Sequence, residues 1–235
     1  MSTIFSDFDG VLFDSVKEAY LLARCAFWGI DVKSTVDEKE YKKFRKFRYL
    51  ITKSWQFYYI YKLIKNGVSD NIFEEEYNKC LQNIDKQKVN EFDMAYVKAR
   101  EDLMKSDYNF WDNLDTPFDF FFKAKELSEK YNHNFIVLTN KKKLPVQNKL
   151  KKFGFNAKLY ANEDLQKYSS KYEFIQEYMK ANKINESYFI EDSIDNLKEC
   201  ENCDSIKGLL AGWGYVSPKE KGYSQEQLFE IIKTF

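Results

Sequence analysis

The chain has 235 residues with 37 basic and 37 acidic side chains, so its formal net charge is zero. Nothing in this balance supports binding to a nucleic-acid backbone, which depends on a clustered excess of Lys and Arg. No run of about 18 apolar residues occurs, so we expect no membrane span. The first residues lack the basic and apolar regions of a secretory signal, so we expect no such signal. With 44% hydrophobic and 31% charged residues, the composition is typical of one globular domain with a large insertion, or of two small domains.

The four cysteines, Cys25, Cys80, Cys200 and Cys203, are too few for a disulfide scaffold and favour a reducing, cytoplasmic environment. Cys200 and Cys203 form a single C-x-x-C pair, which lacks the second ligand pair of a structural zinc site. We interpret them as buried or half-buried helix thiols, with redox or zinc chemistry as the alternative.

The chain begins with an apolar run that leads into two aspartates and a glycine, and residues 4–15 read IFSDFDGVLFDS. If residues 3–7 form a strand, Asp7 and Asp9 project to the same side, because side chains alternate along a strand. Gly10 then allows a sharp turn at the end of the strand. Two carboxylates at that position suit a nucleophile, an acid–base partner or a cation site.

Helical periodicity dominates residues 16–112, where glycine and proline are scarce. Apolar and aromatic residues at helical spacing predict an all-α block, with helical runs at 16–28, 41–65, 72–83 and 88–105. Pro117 is well placed as the first residue of a further helix, since proline at that position loses no helical hydrogen bond.

Strands and helices alternate in the remainder of the chain. The apolar runs and helical stretches predict strands at 135–138, 157–161, 187–190 and 207–211, and helices at 117–131, 144–153, 171–182, 194–201 and 224–233. This alternation predicts an α/β fold, a doubly wound, Rossmann-like parallel sheet with right-handed crossovers. Active sites of such sheets lie at the C-terminal ends of the strands.

Two later segments place groups that suit phosphate transfer at the ends of these elements. Thr139 and Asn140 follow the strand at 135–138, where a hydroxyl and an amide can donate hydrogen bonds to a phosphoryl oxygen, although this pair is also ordinary loop chemistry. Lys171 begins a helix, where a lysine is mildly unfavourable with the helix dipole unless a carboxylate or a phosphate compensates it. Its position favours it over Lys167, and the alternative is a solvated surface lysine.

Glu191 and Asp192 end another apolar strand. Two like charges about 4 Å apart repel by roughly 4 kcal/mol at an effective dielectric constant near 20. Gathering Asp7, Asp9, Glu191 and Asp192 at one edge of a sheet would therefore call for a hard divalent cation, of which Mg²⁺ is the usual one. The alternative is that Asp192 or Ser193 only caps the helix that follows.

Together these segments resemble the four motifs of the haloacid dehalogenase (HAD) superfamily of aspartate-nucleophile phosphotransferases. The first motif, D-x-D-G-V-L-x-D-S, matches residues 7–15. The second, an apolar strand that ends in Thr or Ser, falls on Thr139, and the third, a lysine before a helix, falls on Lys171. The fourth, an apolar strand that ends in acids, falls on residues 191–193, and the order and spacing of all four agree.

The resemblance implies an α/β catalytic core formed by residues 1–15 and 113–235. The helical block 16–112 looks like the inserted helical cap of the family, of the C1 type. Such caps close over the core, exclude water and carry substrate specificity.

The resemblance also implies a role for each matched residue. Asp7 is expected to attack phosphorus and form an aspartyl-phosphate. Asp9 is expected to protonate the leaving alcohol and then to deprotonate the water that hydrolyses the intermediate. Thr139 and Asn140 would bind the phosphoryl group, and Lys171 would neutralise charge on Asp7 and the phosphate.

The implied cofactor is Mg²⁺, held by the carboxylates of Asp7 and Asp192 and by the carbonyl oxygen of Asp9. Glu191 would help, directly or through water. Some relatives carry a second acid where this chain has Asn196, which shifts weight onto Glu191.

Asp9 favours phosphoryl transfer over dehalogenation, because relatives that resemble the dehalogenases lack an acid at that position. We expect a small polar phosphomonoester as substrate, such as a sugar phosphate or a phosphorylated sugar-building intermediate.

Arg45 and Arg48 lie i, i+3 on one expected helical face and suit carboxylate or phosphate contacts, with a solvated basic face as the alternative. Three lysines follow Asn140, namely Lys141, Lys142 and Lys143, and they form a surface run or favour an acidic substrate.

These observations favour a Mg²⁺-dependent phosphatase. A phosphomutase of the β-phosphoglucomutase kind, which has a similar cap and a Glu-Asp-Ser fourth motif, is the second hypothesis. A non-catalytic binding module on the same scaffold is the third, and it is disfavoured because every catalytic position holds a suitable residue. The sequence does not indicate an oligomeric state.

Overall fold

The computed structural model describes residues 2–201 and 203–235. Contacts between residues divide the chain into two compact units, one formed by the residues up to Asp14 together with Thr116–Phe235, the other by Ser15–Asp115. The expected helical block, 16–112, differs from the second unit by one residue at its start and by three at its end. We call the two the α/β unit and the helical unit.

The helical unit contains six α-helices among the described residues. They are α1 (Val16–Trp28), α2 (Glu38–Lys46), α3 (Phe57–Lys65), α4 (Phe73–Gln82), α5 (Lys86–Ser106) and α6 (Tyr108–Asp112). The first agrees with the helix predicted at 16–28. Of the helices that the structure describes, none is both long enough and apolar enough to cross a membrane.

The helical run predicted over 41–65 is wrong in its middle. Helix α2 ends at Lys46, and two short 3₁₀ turns, Arg48–Leu50 and Ser54–Gln56, precede α3. The buried side chain of Gln56 accepts hydrogen bonds from the backbone N–H groups of Thr52 (2.7 Å) and Lys53 (2.9 Å). These amides are satisfied without a helix, so the aromatic residues on either side pack from two separate helices.

The α/β unit begins with β1 and resumes after the helical unit. Its strands are β1 (Thr3–Asp7), β2 (Phe13–Asp14), β3 (Thr116–Pro117), β4 (Asn134–Leu138), β5 (Lys158–Tyr160), β6 (Ser187–Glu191) and β7 (Ile206–Leu210). Its helices are α7 (Asp119–Lys130), α8 (Lys143–Lys152), α9 (Asn162–Leu165), α10 (Lys171–Asn182), α11 (Ile194–Lys198) and α12 (Gln225–Lys233).

Five of these strands form a parallel sheet in the order β5-β4-β1-β6-β7. Neighbouring side chains of one strand belong to different apolar clusters: Ile4 packs with α7, α8 and α12, whereas Phe5 packs with α10 and α11. This follows from the alternation of side chains along a strand. The sheet is therefore covered by helices on both faces, which confirms the predicted doubly wound α/β architecture.

The predicted start of the helix at Pro117 is wrong. Pro117 lies in β3, where it pairs with Phe13 of β2, and α7 begins at Asp119. The N–H of Phe118 donates to the carbonyl of Leu12 (3.0 Å). This short antiparallel pairing holds the segment extended before the helix can begin.

The C-x-x-C pair also departs from expectation, because helix α11 ends at Lys198 and neither thiol is in a helix. Both cysteines are free, with Cys200 buried and Cys203 half-buried.

Candidate active site at the carboxyl ends of three strands

Strand β1 lies between β4 and β6 at the centre of the sheet, and its register sets the positions of the predicted site residues. Asp7 is opposite Leu138 of β4, and Ser6 is opposite Ile190 of β6. The residues that follow these partners, Thr139 and Glu191, therefore lie at the same edge as Asp7. The three strands place the first, second and fourth motifs side by side.

The turn after β1 fixes Asp7 and leaves no room for a side chain at Gly10. The N–H of Phe8 donates to Asp7 Oδ1 (2.6 Å), and the Phe8 carbonyl accepts from the N–H groups of Leu12 (3.0 Å) and Phe13 (2.9 Å). Gly10 has φ of +80°, and a Cβ there would lie 1.9 Å from Asp192 Oδ2. Only glycine allows this close approach of the first and fourth motifs.

Lys171, the first residue of α10, reaches the acidic residues with its buried side chain. Its Nζ lies 2.8 Å from Asp7 Oδ2 and 2.8 Å from Glu191 Oε2. Burial alone would lower the pKa of Lys171, but attraction to Asp7 and Glu191 outweighs it and raises the pKa above its usual value. The ammonium therefore stays charged between the two carboxylates.

Asp7 has the opposite electrostatic problem. Burial is the largest cause that raises its pKa well above the ordinary value, and repulsion from Glu191 and Asp9 adds to it, against the attraction of Lys171. One lysine does not compensate the negative charge that is gathered here. A further cation at this edge of the sheet would favour the ionised, nucleophilic form of Asp7.

Glu191 and Asp192 differ in how their oxygens are used. Glu191 is fully buried; its Oε1 accepts from the N–H groups of Asp192 (3.1 Å) and Ser193 (3.2 Å), and its Oε2 faces Lys171. Asp192 Oδ2 accepts from the backbone N–H of Tyr215 (2.7 Å). Ser193 precedes α11 without a side-chain capping bond, so the structure gives no support to the capping alternative for Ser193.

Thr139 is fully buried, and its N–H donates to the carbonyl of Tyr160 (3.0 Å). Its Oγ1 accepts from the N–H of Lys141 (3.1 Å), which leaves the hydroxyl able to donate its hydrogen to a phosphoryl oxygen. Asn140, the other predicted phosphate ligand of this segment, is exposed.

Sequence reasoning did not place Lys141 and Tyr215 in the site. Lys141 Nζ lies 2.8 Å from Asp9 Oδ1, and the side chain of Lys141 is only 13% exposed. Its position two residues after Thr139 was the available signal. Tyr215 acts on Asp192 through its backbone N–H. Any non-proline residue could supply that group, so no side-chain pattern in the sequence predicts the contact.

The two arginines proposed for substrate binding do not share a helical face, and that expectation is wrong. Arg45 is exposed on α2, whereas Arg48 lies in the following 3₁₀ turn. Arg48 donates from Nη1 to the carbonyl of Ile51 (2.8 Å), and its guanidinium lies 5.4 Å from the centre of the Phe57 ring. These contacts give Arg48 a structural role within the helical unit.

The residues at the sheet edge fit a hard divalent cation. One carboxylate oxygen from each of Asp7, Glu191 and Asp192 lies within 4.8 Å of the others, and oxygen donors of this kind suit Mg²⁺. With Asp9 there are four carboxylates, while Lys141 and Lys171 bring two positive charges. When all are ionised, two negative charges remain, which is the charge that one divalent ion would neutralise.

The parallel sheet with a helical unit inserted after β2 is an arrangement that solved structures of other proteins also have. Comparison with solved structures confirms this at the level of the fold. A protein from Lactobacillus delbrueckii subsp. bulgaricus named as a phosphoglycolate phosphatase is similar over 98% of this chain and 97% of its own, with TM-score 0.63 and 13% identity. A haloacid dehalogenase-like hydrolase from Streptococcus pneumoniae is similar over 93% of this chain and 88% of its own, with TM-score 0.57 and 16% identity.

A protein from Thermotoga maritima named as a β-phosphoglucomutase is similar over 100% of this chain and 99% of its own, with TM-score 0.52 and 12% identity. No family model matches the chain, and no curated protein sequence matches it. The likeness is therefore one of fold, and the chemistry has to be argued from the residues.

Proposed function

We propose that the protein is a phosphatase that hydrolyses a small phosphomonoester through an aspartyl-phosphate on Asp7. The observation that carries this proposal is the contact of Lys171 with both Asp7 and Glu191, at 2.8 Å each. Of these two acids, Asp7 has a pKa that is raised by burial and by its acidic neighbours. A structural ion pair would not need this excess of negative charge. A carboxylate nucleophile that accepts a phosphoryl group with the help of a metal cation does need this excess of negative charge.

In the proposed reaction, an oxygen of Asp7 forms a bond to phosphorus while the ester P–O bond breaks. Asp9 gives its proton to the leaving oxygen, which departs as an alcohol. Water then attacks phosphorus, its proton passes to Asp9, the Asp7–phosphorus bond breaks, and inorganic phosphate leaves. Thr139 and Lys171 hold the phosphoryl oxygens and offset their charge during both steps, with Asn140 as an exposed neighbour in the same loop.

We assign the Mg²⁺ site to the carboxylates of Asp7 and Asp192 and to the carbonyl oxygen of Asp9. Glu191 Oε2 lies 2.8 Å from Lys171 Nζ, so we assign Glu191 the task of holding Lys171 in place, which narrows the role expected from sequence. The cation, when bound, supplies positive charge that draws the phosphate and the Asp7 carboxylate together. Tyr215 keeps Asp192 oriented through its N–H.

We further propose that the helical unit is a cap that selects the substrate. A site that contains only the phosphate-handling residues has no means to read the alcohol, so specificity has to come from residues elsewhere. In the helical unit, Arg45 is the exposed member of the arginine pair, so we propose it as the contact for an anionic substrate group.

The proposal is tested with the purified protein on a panel of phosphomonoesters, with Mg²⁺ and after treatment with EDTA. Release of inorganic phosphate that requires Mg²⁺ and disappears in Asp7→Asn is the expected result. Turnover that persists in Asp7→Asn, or no release from any phosphomonoester on the panel, would contradict it.

A phosphomutase is the second candidate, favoured by the Glu191-Asp192-Ser193 sequence at the end of β6 and by the fold likeness to the Thermotoga maritima protein. Incubation with sugar 1-phosphates in the presence of a catalytic amount of the sugar bisphosphate separates the two functions. A phosphatase releases phosphate in proportion to the sugar phosphate consumed. Formation of the isomeric sugar phosphate without free phosphate would instead establish the mutase.

A further inference from the structure

Lys141 is a largely buried lysine of the second-motif loop whose cation faces the predicted acid–base residue. Its Nζ lies 2.8 Å from Asp9 Oδ1, with 13% of the Lys141 side chain and 22% of the Asp9 side chain exposed. Withdrawing a lysine from water costs free energy that a surface lysine does not lose. The chain has many lysines on its surface, so the burial of this one calls for a reason beyond solubility.

The backbone of Lys141 is fixed on both sides of its side chain. Its N–H donates to Thr139 Oγ1 (3.1 Å), and its carbonyl accepts from the N–H of Asn162 (3.0 Å). Its Nζ also lies 5.7 Å from the centre of the Phe8 ring, a distance at which cation and ring attract each other. The residue therefore joins the second-motif loop, the start of α9 and the turn after β1.

Asp9 has a fixed backbone, but its backbone does not set the direction of its carboxylate. Asp9 forms a bridge with Phe13, and the N–H of Gly10 donates to the Phe13 carbonyl (2.8 Å). The buried Oδ1 meets Lys141 as an ion pair without the angles of a hydrogen bond. The attraction is thus mainly between charges, and it acts on one of the two carboxylate oxygens.

We propose that Lys141 is a positioning residue for Asp9: its ammonium holds Oδ1 and turns Oδ2 toward the oxygen that leaves or attacks phosphorus. This inference rests on the proposed phosphatase function. Without the cation, repulsion from Asp7 would turn the Asp9 carboxylate away from its neighbour, and proton transfer to the leaving oxygen would be less well aligned. The benefit of Lys141 depends on how much the leaving group needs that proton.

The test compares two substrates in Lys141→Met. An alkyl phosphate needs protonation of its leaving oxygen, whereas p-nitrophenyl phosphate releases a stable anion without it. Hydrolysis of the aspartyl-phosphate is common to both substrates, so the comparison uses kcat/KM, which reports the steps up to departure of the leaving group. Because general acid catalysis contributes about 10²- to 10⁴-fold, we expect kcat/KM for the alkyl phosphate to fall by at least about tenfold and kcat/KM for p-nitrophenyl phosphate by no more than about threefold. Lys141→Arg, which keeps the charge, should restore part of the alkyl phosphate activity, and Lys151→Met, at an exposed lysine of α8, should match the wild type.

A double-mutant cycle with Asp9→Asn distinguishes a positioning role of Lys141 from a merely structural one. If Lys141 acts through Asp9, Lys141→Met has little further effect in the Asp9→Asn background. Equal losses on both substrates, or additive losses in the cycle, would overturn the inference even though the enzyme is a phosphatase. If the wild type hydrolyses neither substrate nor any other phosphomonoester, the proposed function itself fails and the inference fails with it. Should Lys141→Met not fold, the substrate comparison is made with Lys141→Gln and judged by the same ratio.

Discussion

Glu18 in the helical unit and Asp7 in the α/β unit are both acidic side chains removed from water, and they are neutralised to different extents. Glu18 is 1% exposed and accepts from Arg100 Nε (2.8 Å), Arg100 Nη2 (3.1 Å) and Trp111 Nε1 (2.7 Å). Arg100 is further held by the hydroxyl of Tyr96 (3.1 Å). The Glu18 carboxylate therefore accepts from both a forked cation and an indole N–H.

Asp7 shares its cation. Lys171 divides its ammonium between Asp7 and Glu191, with Asp192 in the same cluster and Asp9 two residues along the chain. Glu18 thus has the partners of a buried acid that stabilises a fold. The Asp7 cluster has more acids than cations, which is the arrangement of a site that awaits positive charge from outside the chain.

Asp7→Asn is the substitution with the largest expected effect on turnover, and it should stabilise the metal-free protein. The raised pKa of Asp7 means that protonation favours the folded state: this contribution is complete below the ordinary pKa of 3.8 and is lost as the pH rises through the raised value. Asparagine keeps the neutral state at every pH. We expect activity to vanish and Tm at pH 7 in EDTA to rise by a few degrees, at about 2–4 °C per kcal/mol, as measured by calorimetry.

The same melts at pH 4 supply the control for Asp7→Asn. A larger fraction of wild-type Asp7 is protonated at pH 4 than at pH 7, because its pKa is raised, so the difference in Tm between the two proteins should shrink. A lower Tm for Asp7→Asn at pH 7 would contradict the view that the ionised carboxylate is destabilised in the folded protein.

Lys171→Met should be the next most damaging change. It leaves Asp7 and Glu191 buried without their shared cation, and breaking a buried ion pair in this way costs about 3–5 kcal/mol of unfolding free energy. We expect both lower stability in urea and loss of phosphatase activity. Lys180→Met, on the same helix at an exposed position, is the matched control. Equal stability and equal activity of the two variants would show that Lys171 has no role in the site.

Gly10→Ala tests the close approach of the first and fourth motifs. A Cβ at Gly10 would meet Asp192 Oδ2 at 1.9 Å, whereas a Cβ at Gly29, whose φ is also positive, would meet nothing within 4 Å. Both variants bear a backbone penalty of about 1 kcal/mol. Only Gly10→Ala should reduce kcat, by about tenfold or more, and weaken Mg²⁺ binding, measured as a higher Mg²⁺ concentration for half-maximal activity. Equal kinetic parameters for the two alanine variants would show that Asp192 is not constrained by Gly10.

Glu18→Gln should have the smallest effect on turnover. It removes the charge that Arg100 neutralises, so we expect the free energy of unfolding to fall by about 3 kcal/mol while kcat per folded molecule stays at the wild-type value below the melting range. Glu91→Gln, at an exposed position, controls for the loss of one acid. A large loss of kcat in folded Glu18→Gln would break the distinction between the two buried acids.

Much of the site follows from periodicity in the sequence. Asp7, Thr139 and Glu191 come at the ends of apolar runs, and the parallel order of such runs places their ends at one edge. Lys171 follows from its place at the start of a helix. Lys141 is one lysine among many, and only its position two residues after Thr139 distinguishes it. Tyr215 contributes a backbone N–H, which no side-chain pattern predicts.

The errors in the fold have local causes that periodicity does not contain. The break within 41–65 depends on the Gln56 side chain, which satisfies two backbone amides from across the turn. The late start of α7 depends on the pairing of Pro117 with Phe13, residues far apart in the chain. A side-chain contact within one turn decides the first boundary, and a pairing between distant segments decides the second.

The most direct test of the account is to locate the transferred phosphoryl group. The wild-type protein is mixed with a hydrolysed phosphomonoester and Mg²⁺, quenched in acid during turnover, digested, and analysed by mass spectrometry with hydroxylamine treatment as a check for an acyl phosphate. We expect one phosphoryl group on Asp7, absent from Asp7→Asn and retained in Glu18→Gln. Turnover without a phosphorylated Asp7, or a phosphoryl group on a different residue, would contradict it.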